Sequence, residues 1–539
     1  MGEDNGQTSA LALFRPWYLV VLLLLAAIVP YLPGMKGPFL FDDVHNIKEN
    51  AAVYSFEPGR FFADPTTFSA KTGNWPYRPL TVTVNSILAV ADADSALAWH
   101  IVALALHLFS TFLVFLLCVR GFRLGKTAFV PAFIFAAAPL QTQAVLYVSA
   151  LGVVLSCFFS LSAVWFFICL SDRQDKSAVF ATLVVLFSIV AFFSYEGSLA
   201  LLVWLPLALY GGNRPIISKK TVVVFVGVFF CAVLYLALRA GFAPGEMFSG
   251  HRDIRPEYSA FEQVMNGLEL PWVMAGILLF PKGLNFFHHP APPSSIFSAS
   301  AIMIFAATVL VFVFLFMTRK RRPLAAGTAW YLAALLPAAL VSLNLPWSEH
   351  RAYLALPGLA IALGYAFTRL LENLGPLRRR GAYLLIVLMF FCFALFTVLR
   401  ADAWTSEAKI MKDAVKKSPR YDVPWHILAS RYQGQGDCAR AIRLEQRAVS
   451  VNPDFADAYN TMASCYLVEG QLKKARQAAG KALELDRHNP MYKRNLAVVL
   501  IYTGEKNRAE RMLRELVESL PRHDYVRRLA ERDLAGIGD

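Results

Sequence analysis

The sequence predicts an all-α protein: a polytopic membrane helix bundle followed by a water-exposed helical-repeat solenoid. Three observations carry this. Apolar runs long enough to cross a bilayer alternate with short polar loops from Trp17 to Leu399. After Arg400 no such run recurs, and charged residues crowd in. Within that polar tail, similar residues return every 34 positions. Composition agrees: 57% of the 539 residues are hydrophobic and 17% charged, where a soluble chain carries about 25% charged residues. A length of roughly 150 residues per domain corresponds to three or four units. A small disulfide scaffold, a coiled coil and a disordered chain are excluded. Seven cysteines show no metal-ligand or CxxC spacing. Five of them (Cys118, Cys157, Cys169, Cys231 and Cys392) lie in apolar runs, as small buried thiols do.

A membrane helix needs about 20 apolar residues. Eleven apolar runs are read as spans on this scale: 17–35, 97–119, 127–145, 147–170, 178–194, 198–211, 221–239, 300–318, 324–342, 352–371 and 381–399. The first has no small-residue cleavage site and reads as a retained anchor. A further run, 264–280, holds Pro271 and is bounded by Pro281. It is expected to be re-entrant or interfacial, because the loop charges require residues 239 and 319 to lie on opposite faces. Loops on one side carry fifteen basic residues, among them Arg123, Arg214, Lys220, Lys320 and Arg379; the short loops opposite carry only Arg351. The basic side is the cytoplasmic one. The formal net charge of +14 therefore marks membrane orientation, not a nucleic-acid partner. Eleven crossings put the N-terminus in the cytoplasm, and loop 36–96 and everything after 400 outside. The expected domains are a membrane domain, 1–400, and an external module, 401–539.

The tail repeats with a period that defines its fold. Gly436, Gly470 and Gly504 are 34 apart, as are Ala441, Ala475 and Ala509; Tyr432 pairs with Tyr466, and Ala448 with Ala482. An aromatic, a small pair and a turn glycine at this period form the tetratricopeptide signature. Small alanines let paired helices approach, and aromatics fill the space between pairs. Three repeats occupy about 422–523, with a half repeat at 404–417 continuing from the last span and a capping helix after. Such stacks form a groove for a peptide, a partner helix or another subunit, or serve as plain assembly scaffolds. Cys438 and Cys465 both lie in this module, where a disulfide can form.

Charged residues gather at the expected external face. Asp42 and Asp43 stand in Gly37-Pro-Phe-Leu-Phe-Asp-Asp-Val-His45; adjacent carboxylates cannot point the same way, so one can meet substrate while the other is held by a neighbour. The competing reading is a solvated loop start. Tyr77-Arg78-Pro79 precedes the second span, and Glu196 interrupts an apolar stretch, where a lone carboxylate is a functional candidate by default. Glu349, His350, Arg351 and Tyr353 open the tenth span, with three ionisable groups in a row. An acidic neighbour or an anionic ligand would satisfy Arg351. Lys282, Asn285, His288 and His289 lie between apolar runs; phosphate contact or interfacial placement suits them better than metal binding. His100 and His107 share one helix face, as a buried hydrogen-bonded pair does. No Gly-rich phosphate loop, nucleotide motif or Ser–His–Asp spacing is present.

Phe41-Asp42-Asp43-Val44-His45 resembles the acidic first-loop motif of GT-C glycosyltransferases, especially protein O-mannosyltransferases. The order of Asp-Asp, Tyr-Arg-Pro-Leu, the His100–His107 helix, Pro-Leu-Gln-Thr-Gln-Ala-Val (139–145), Glu196 and Glu-His-Arg-x-Tyr (349–353) is similar to one branch of that family. That branch is the transmembrane and tetratricopeptide-repeat-containing proteins and their bacterial relatives. The resemblance covers nearly the whole chain. It implies a GT-C bundle, a sugar donor carried on a polyprenyl phosphate, and transfer with inversion, most readily to Ser or Thr of a protein. It places Asp42 as general base and Asp43 as the adjacent acid, with Arg78 and Arg351 at the donor phosphate. The other candidates, Glu196, Lys282, His288, Glu349, His350 and Tyr353, fall on the substrate side. No metal or other cofactor is assigned; the partners implied are the donor lipid, the bilayer and a protein held in the repeat groove. The implied location is a bacterial inner membrane with the repeats periplasmic, or an endoplasmic-reticulum membrane with them lumenal. Transfer to a lipid or envelope polysaccharide, and a non-catalytic repeat scaffold, are the alternatives. The chain departs from the family pattern at Ala138-Pro139-Leu140-Gln141-Thr142-Gln143 and Ala150-Leu151-Gly152, which lack the usual His, Glu and Arg. His289 stands where an acidic residue is frequent in the bacterial relatives.

Overall fold

The computed structural model describes residues 17–71, 76–92, 94–173, 175–242, 258–288, 292–337, 347–521 and 524–538. Among them all regular structure is helical, as expected of apolar runs that must satisfy every backbone group internally in lipid. The chain divides into two compact units, Met1–Glu407 and Ala408–Asp539.

In the first unit eight helices have the length and apolarity of a membrane span: Tyr18–Lys36, Leu97–Gly121, Val148–Asp172, Ser177–Ser194, Lys219–Phe242, Ala299–Thr318, Glu349–Glu372 and Pro376–Ala403. The other three expected spans differ. Pro139 breaks 127–145 into Phe129–Ala137 and Pro139–Leu146, bent by 49°, because proline cannot donate to the preceding turn. Segment 198–211 is the short helix Leu201–Gly211, led by a 3-10 turn at Glu196–Ala200. Segment 324–342 forms Arg322–Leu335, and its end lies outside the described residues. The run expected to be re-entrant or interfacial is one unbroken helix, Ala260–Leu279, with Pro271 inside it and a Ser259–Glu262 capping box at its start.

Val148–Asp172 is the central helix: 78% of its membrane window is buried, against 11% for Pro376–Ala403. It packs on Leu97–Leu116, Ser177–Ser194, Leu201–Gly211 and Ala352–Glu372. The outer helices present Phe312, Phe316, Leu384 and Phe391 outward, the apolar surface that lipid covers. Arg322–Leu335 lies closely on Ala352–Glu372. A Cβ on Gly327 would come within 2.6 Å of the Gly358 carbonyl oxygen, and one on Gly358 within 2.7 Å of that of Gly327. Such small-residue crossings let membrane helices approach. The bend at Pro139 leads into residues 138–148, all buried; irregular backbone at membrane depth is tolerated where protein encloses it.

The second unit is a stack of helix pairs: Asp422–Gly434 with Cys438–Val451, Ala456–Val468 with Leu472–Leu485, and Pro490–Tyr502 with Lys506–Ser519, then Tyr525–Gly538. Gly436, Gly470 and Gly504 turn each pair at φ 80°, 71° and 88°, a left-handed backbone that glycine adopts without cost from a Cβ. Ala463, Ala475, Ala479 and Ala509 are buried where helices meet. The half repeat does not continue directly from the last span. That span ends at Ala403 and the next helix is Glu407–Lys417. Cys438 and Cys465 are buried free thiols in one cluster with Ala429, Ala441 and Ile442.

Candidate active site

The chain leaves its first span through a 3-10 turn, Val29–Lys36, and the Gly37 carbonyl is held by His100 Nε2 at 3.1 Å. Phe41 then adopts a left-handed backbone, φ 50°, which costs a bulky residue roughly 1–3 kcal/mol. Its ring stacks on Phe286 at 4.4 Å and meets Tyr147 edge-on, so aromatic packing holds the kink.

The kink sends the two aspartates apart. Asp43 is 1% exposed. Its carboxylate accepts from Leu40 N–H at 2.9 Å and from Ser149 N–H and hydroxyl at 2.7 and 2.5 Å. Burial pushes its pKa up to about 7, against those hydrogen bonds and with help from the Asp42 charge. Asp42 is 61% exposed at its side chain. Burial by the surrounding protein works upward on its carboxyl too, but the hydrogen bond and charge of His45, then Tyr147 and Lys71, leave it below the usual value. His45 Nε2 sits 3.2 Å from Asp42 Oδ1, and His45 Nδ1 sits 2.8 Å from the Ser69 hydroxyl. If Ser69 donates to Nδ1, the tautomer that follows has Nε2–H donating a hydrogen bond to Asp42 Oδ1. Asp42 is thus an ionised, open carboxylate with its orientation set from behind.

His350 links it to a cluster of cations. Arg78 grips Glu196 through Nε and Nη2 at 2.9 and 2.7 Å, and Arg239 Nη1 reaches the same carboxylate at 3.5 Å. The Arg78 guanidinium lies over the Tyr195 ring at 4.7 Å, and Arg351 hydrogen-bonds Tyr195. Three arginines around one glutamate leave a net positive surface. His350 lies within electrostatic reach of Arg351, Arg78, Asp42 and Glu196 alike, so the carboxylate and the cations share one site. Its backbone N–H is held by Gln143 Oε1 at 3.0 Å, which gives a role to the glutamine that departs from the family pattern. Gly152, another departure, lies where a Cβ would come within 2.7 Å of the Thr81 hydroxyl and 2.9 Å of the Ser194 carbonyl oxygen.

The other candidates are placed differently. Glu349 is fully buried; it accepts from Asn285 N–H, meets His288 Nε2 at 3.1 Å and faces Arg400 Nη2 at 3.8 Å. It ties the 284–288 loop to the end of the last span. Tyr353 is also fully buried, and its hydroxyl meets His107 Nδ1 at 2.9 Å inside the bundle. It lies behind the site and does not line it. His100 and His107 bond separate carbonyls, of Gly37 and Ala136. Lys282 is exposed on the Pro281–Gly283 turn; among the described residues nothing ties it to the cluster. His289 lies outside the described residues. Sequence reasoning missed Arg239, Arg400, Ser149 and Tyr147. An arginine at the end of an apolar run was the available signal for the first two; Ser149 and Tyr147 had none. An apolar cleft of about 540 Å³, lined by Pro271, Trp272, Phe312 and Tyr331, contains none of these residues. No group of three His, Cys, Asp or Glu is arranged to hold a metal ion among the described residues.

Residues 432–494 match the tetratricopeptide-repeat family. The second unit carries a tetratricopeptide-repeat domain. Beyond it, a protein O-mannosyl-transferase of Caenorhabditis elegans is 28% identical over 182 residues, 31% of this chain and 25% of that protein. A protein O-mannosyl-transferase of Homo sapiens is 38% identical over 84 residues, 15% of this chain and 9% of its own length. The matched stretches are a quarter or less of those proteins. Among solved structures, ArnT from Cupriavidus metallidurans in the apo state aligns over 94% of this chain and 81% of its own, at 15% identity and a TM-score of 0.43. The chain is a multi-span membrane protein with a tetratricopeptide-repeat domain, similar in sequence to protein O-mannosyl-transferases.

Proposed function

We propose that the chain is a membrane glycosyltransferase that moves one sugar from a polyprenyl-phosphate donor to an external hydroxyl, a Ser or Thr of a protein. The observation that carries this reading is the pairing of an open, ionised Asp42 with an arginine cluster in the same site. Asp42 takes the proton of the acceptor hydroxyl. That oxygen attacks the anomeric carbon from the face opposite the phosphate, inverting it, and the bond to the phosphate oxygen breaks with its electron pair. The polyprenyl phosphate leaves with added negative charge, which Arg351 and the Arg78–Arg239 pair stabilise in place. A positioned carboxylate helps a weakly acidic hydroxyl in this way. Asp43 acts as a positioning residue, holding the loop to Ser149 so that Asp42 faces the opening. His350, Glu196, Glu349 and His288 shape the walls.

The similarity to protein O-mannosyl-transferases supports a protein acceptor, and the repeat domain is suited to present one. The fifteen-to-one loop charge bias supports an N-terminus in the cytoplasm and the site and repeats outside it; the family resemblance alone favours a bacterial inner membrane over an endoplasmic-reticulum one. The test is direct. Purified protein given a polyprenyl-phosphate sugar and a Ser/Thr-containing protein should release polyprenyl phosphate and add one sugar, by mass spectrometry. Absence of transfer with every such donor would leave the repeat scaffold as the better reading.

A further inference from the structure

The helices that carry the site also carry a second polar feature at their other ends. Glu349–Glu372 begins with His350 and Arg351 and ends beside Arg369; the 18 positions from Arg351 to Arg369 separate the two by about 27 Å, at 1.5 Å per residue. Glu196–Gly211 likewise begins at Glu196 and ends at a pocket. That pocket, of about 410 Å³, is bounded by four separate segments, 122–124, 211–213, 320–323 and 365–372. Four cationic side chains line it, Arg123, Lys320, Arg322 and Arg369, against one acidic residue, Glu372.

Two of these cations are held in place. Arg322 bonds the Asn213 carboxamide oxygen and lies over the Tyr210 ring at 5.6 Å. Arg369 is held by the Tyr365 hydroxyl at 3.0 Å and by Glu372 at 2.7 Å. Arg123 and Lys320 have no acidic partner among the described residues and are exposed. Of the three non-glycine residues with left-handed backbone among the described residues, one is Phe41 at the candidate active site; the other two, Arg123 (φ 56°) and Asn213 (φ 57°), both line this pocket. Strained backbone of this kind concentrates at functional sites. A topology signal needs only loop charge. It needs neither convergence of four segments on one cavity nor strain to aim them.

We infer that this pocket binds a phosphate group at the membrane surface opposite the candidate active site. Arginines suit phosphate oxygens through charge-assisted, forked hydrogen bonds, and basic pockets between membrane helices hold anionic lipid head groups. The phosphate can come from a phospholipid head group or from solution, and the two sources are separable. The full-length protein in neutral detergent is titrated with dioctanoyl phosphatidylglycerol and, separately, with inorganic phosphate. Native mass spectrometry reads occupancy. The wild type should take up one ligand saturably, and Arg123→Gln/Lys320→Gln should bind roughly thirtyfold more weakly, about fivefold per removed charge. Arg378→Gln/Arg380→Gln, which removes exposed charge at the same membrane face outside the pocket, should bind as the wild type does. Uptake of the lipid alone assigns a head group; uptake of inorganic phosphate alone assigns a soluble anion. Should the double variant lose its thermal transition, Lys320→Gln alone carries the comparison. Equal binding by the pocket variant and the wild type, or an equal loss in the Arg378/Arg380 control, overturns the inference.

Discussion

Asp43 accepts two hydrogen bonds from Ser149, one from its backbone N–H at 2.7 Å and one from its hydroxyl at 2.5 Å, across 106 residues of sequence. This contact locks the loop after the first span to the turn before the central helix. It has a pH signature. Burial pushes the Asp43 carboxyl up to about 7 in the folded protein, from an ordinary value of 3.8, so folding favours its protonated form. Its contribution to stability is full below about pH 4 and is lost as pH rises through 7. Thermal unfolding of the wild type should therefore fall over that range relative to Asp43→Asn. At low pH the two should be similarly stable, because the amide, like the protonated carboxyl, keeps one oxygen for the Ser149 donors and sets a donor against the Leu40 N–H. Parallel unfolding curves for the two proteins across pH would refute the assignment.

Asp42→Asn tests the base. The amide keeps the shape but cannot take a proton, and turnover should fall about 10²–10⁴-fold with the melting temperature unchanged. Because the Asp42 carboxyl is held below its usual value, wild-type kcat/KM should stay flat above about pH 5 and decline only as pH falls further. Near wild-type turnover by Asp42→Asn and by Asp43→Asn with correct folding would remove both residues as the base.

Arg351→Ala should weaken donor binding and lower kcat/KM by about 10²–10³-fold, as loss of a charge stabiliser in an active site does. Arg78→Lys is not a conservative change here, since lysine cannot make both bonds to Glu196. It should raise KM for the donor and lower the melting temperature. A donor titration by fluorescence or calorimetry separates the two variants: unchanged affinity in Arg351→Ala would remove it from the donor site.

A reporter enzyme fused after Arg400 should be active only outside the cytoplasm. Activity inside would reverse the face on which Asp42 lies.

Removal of residues 422–539 should leave the helices of the first unit folded, because the chain divides at Glu407 and Ala408. Transfer to a protein acceptor should drop, and transfer to a short Ser/Thr peptide should persist. Full-rate modification of the protein acceptor by the truncated chain would assign the repeats another purpose.

What the sequence by itself determined here is what repeats locally. Apolar length set most of the membrane helices, and a 34-residue period located the repeats with their turn glycines. These signals are legible because helix geometry couples residues a few positions apart. The site is another matter. Asp42 and Arg351 were visible as charges beside apolar runs, but neither position shows that Asp43 bonds Ser149, that Arg78 is oriented by Glu196, or that Tyr353 turns inward to His107, 246 residues away. Glu349 and Arg400, both buried, are an encounter between a helix start and a helix end. Only the tertiary structure decides such pairings, since which distant polar groups meet depends on how the apolar helices pack, and buried polar groups must then find partners among whatever that packing brings near.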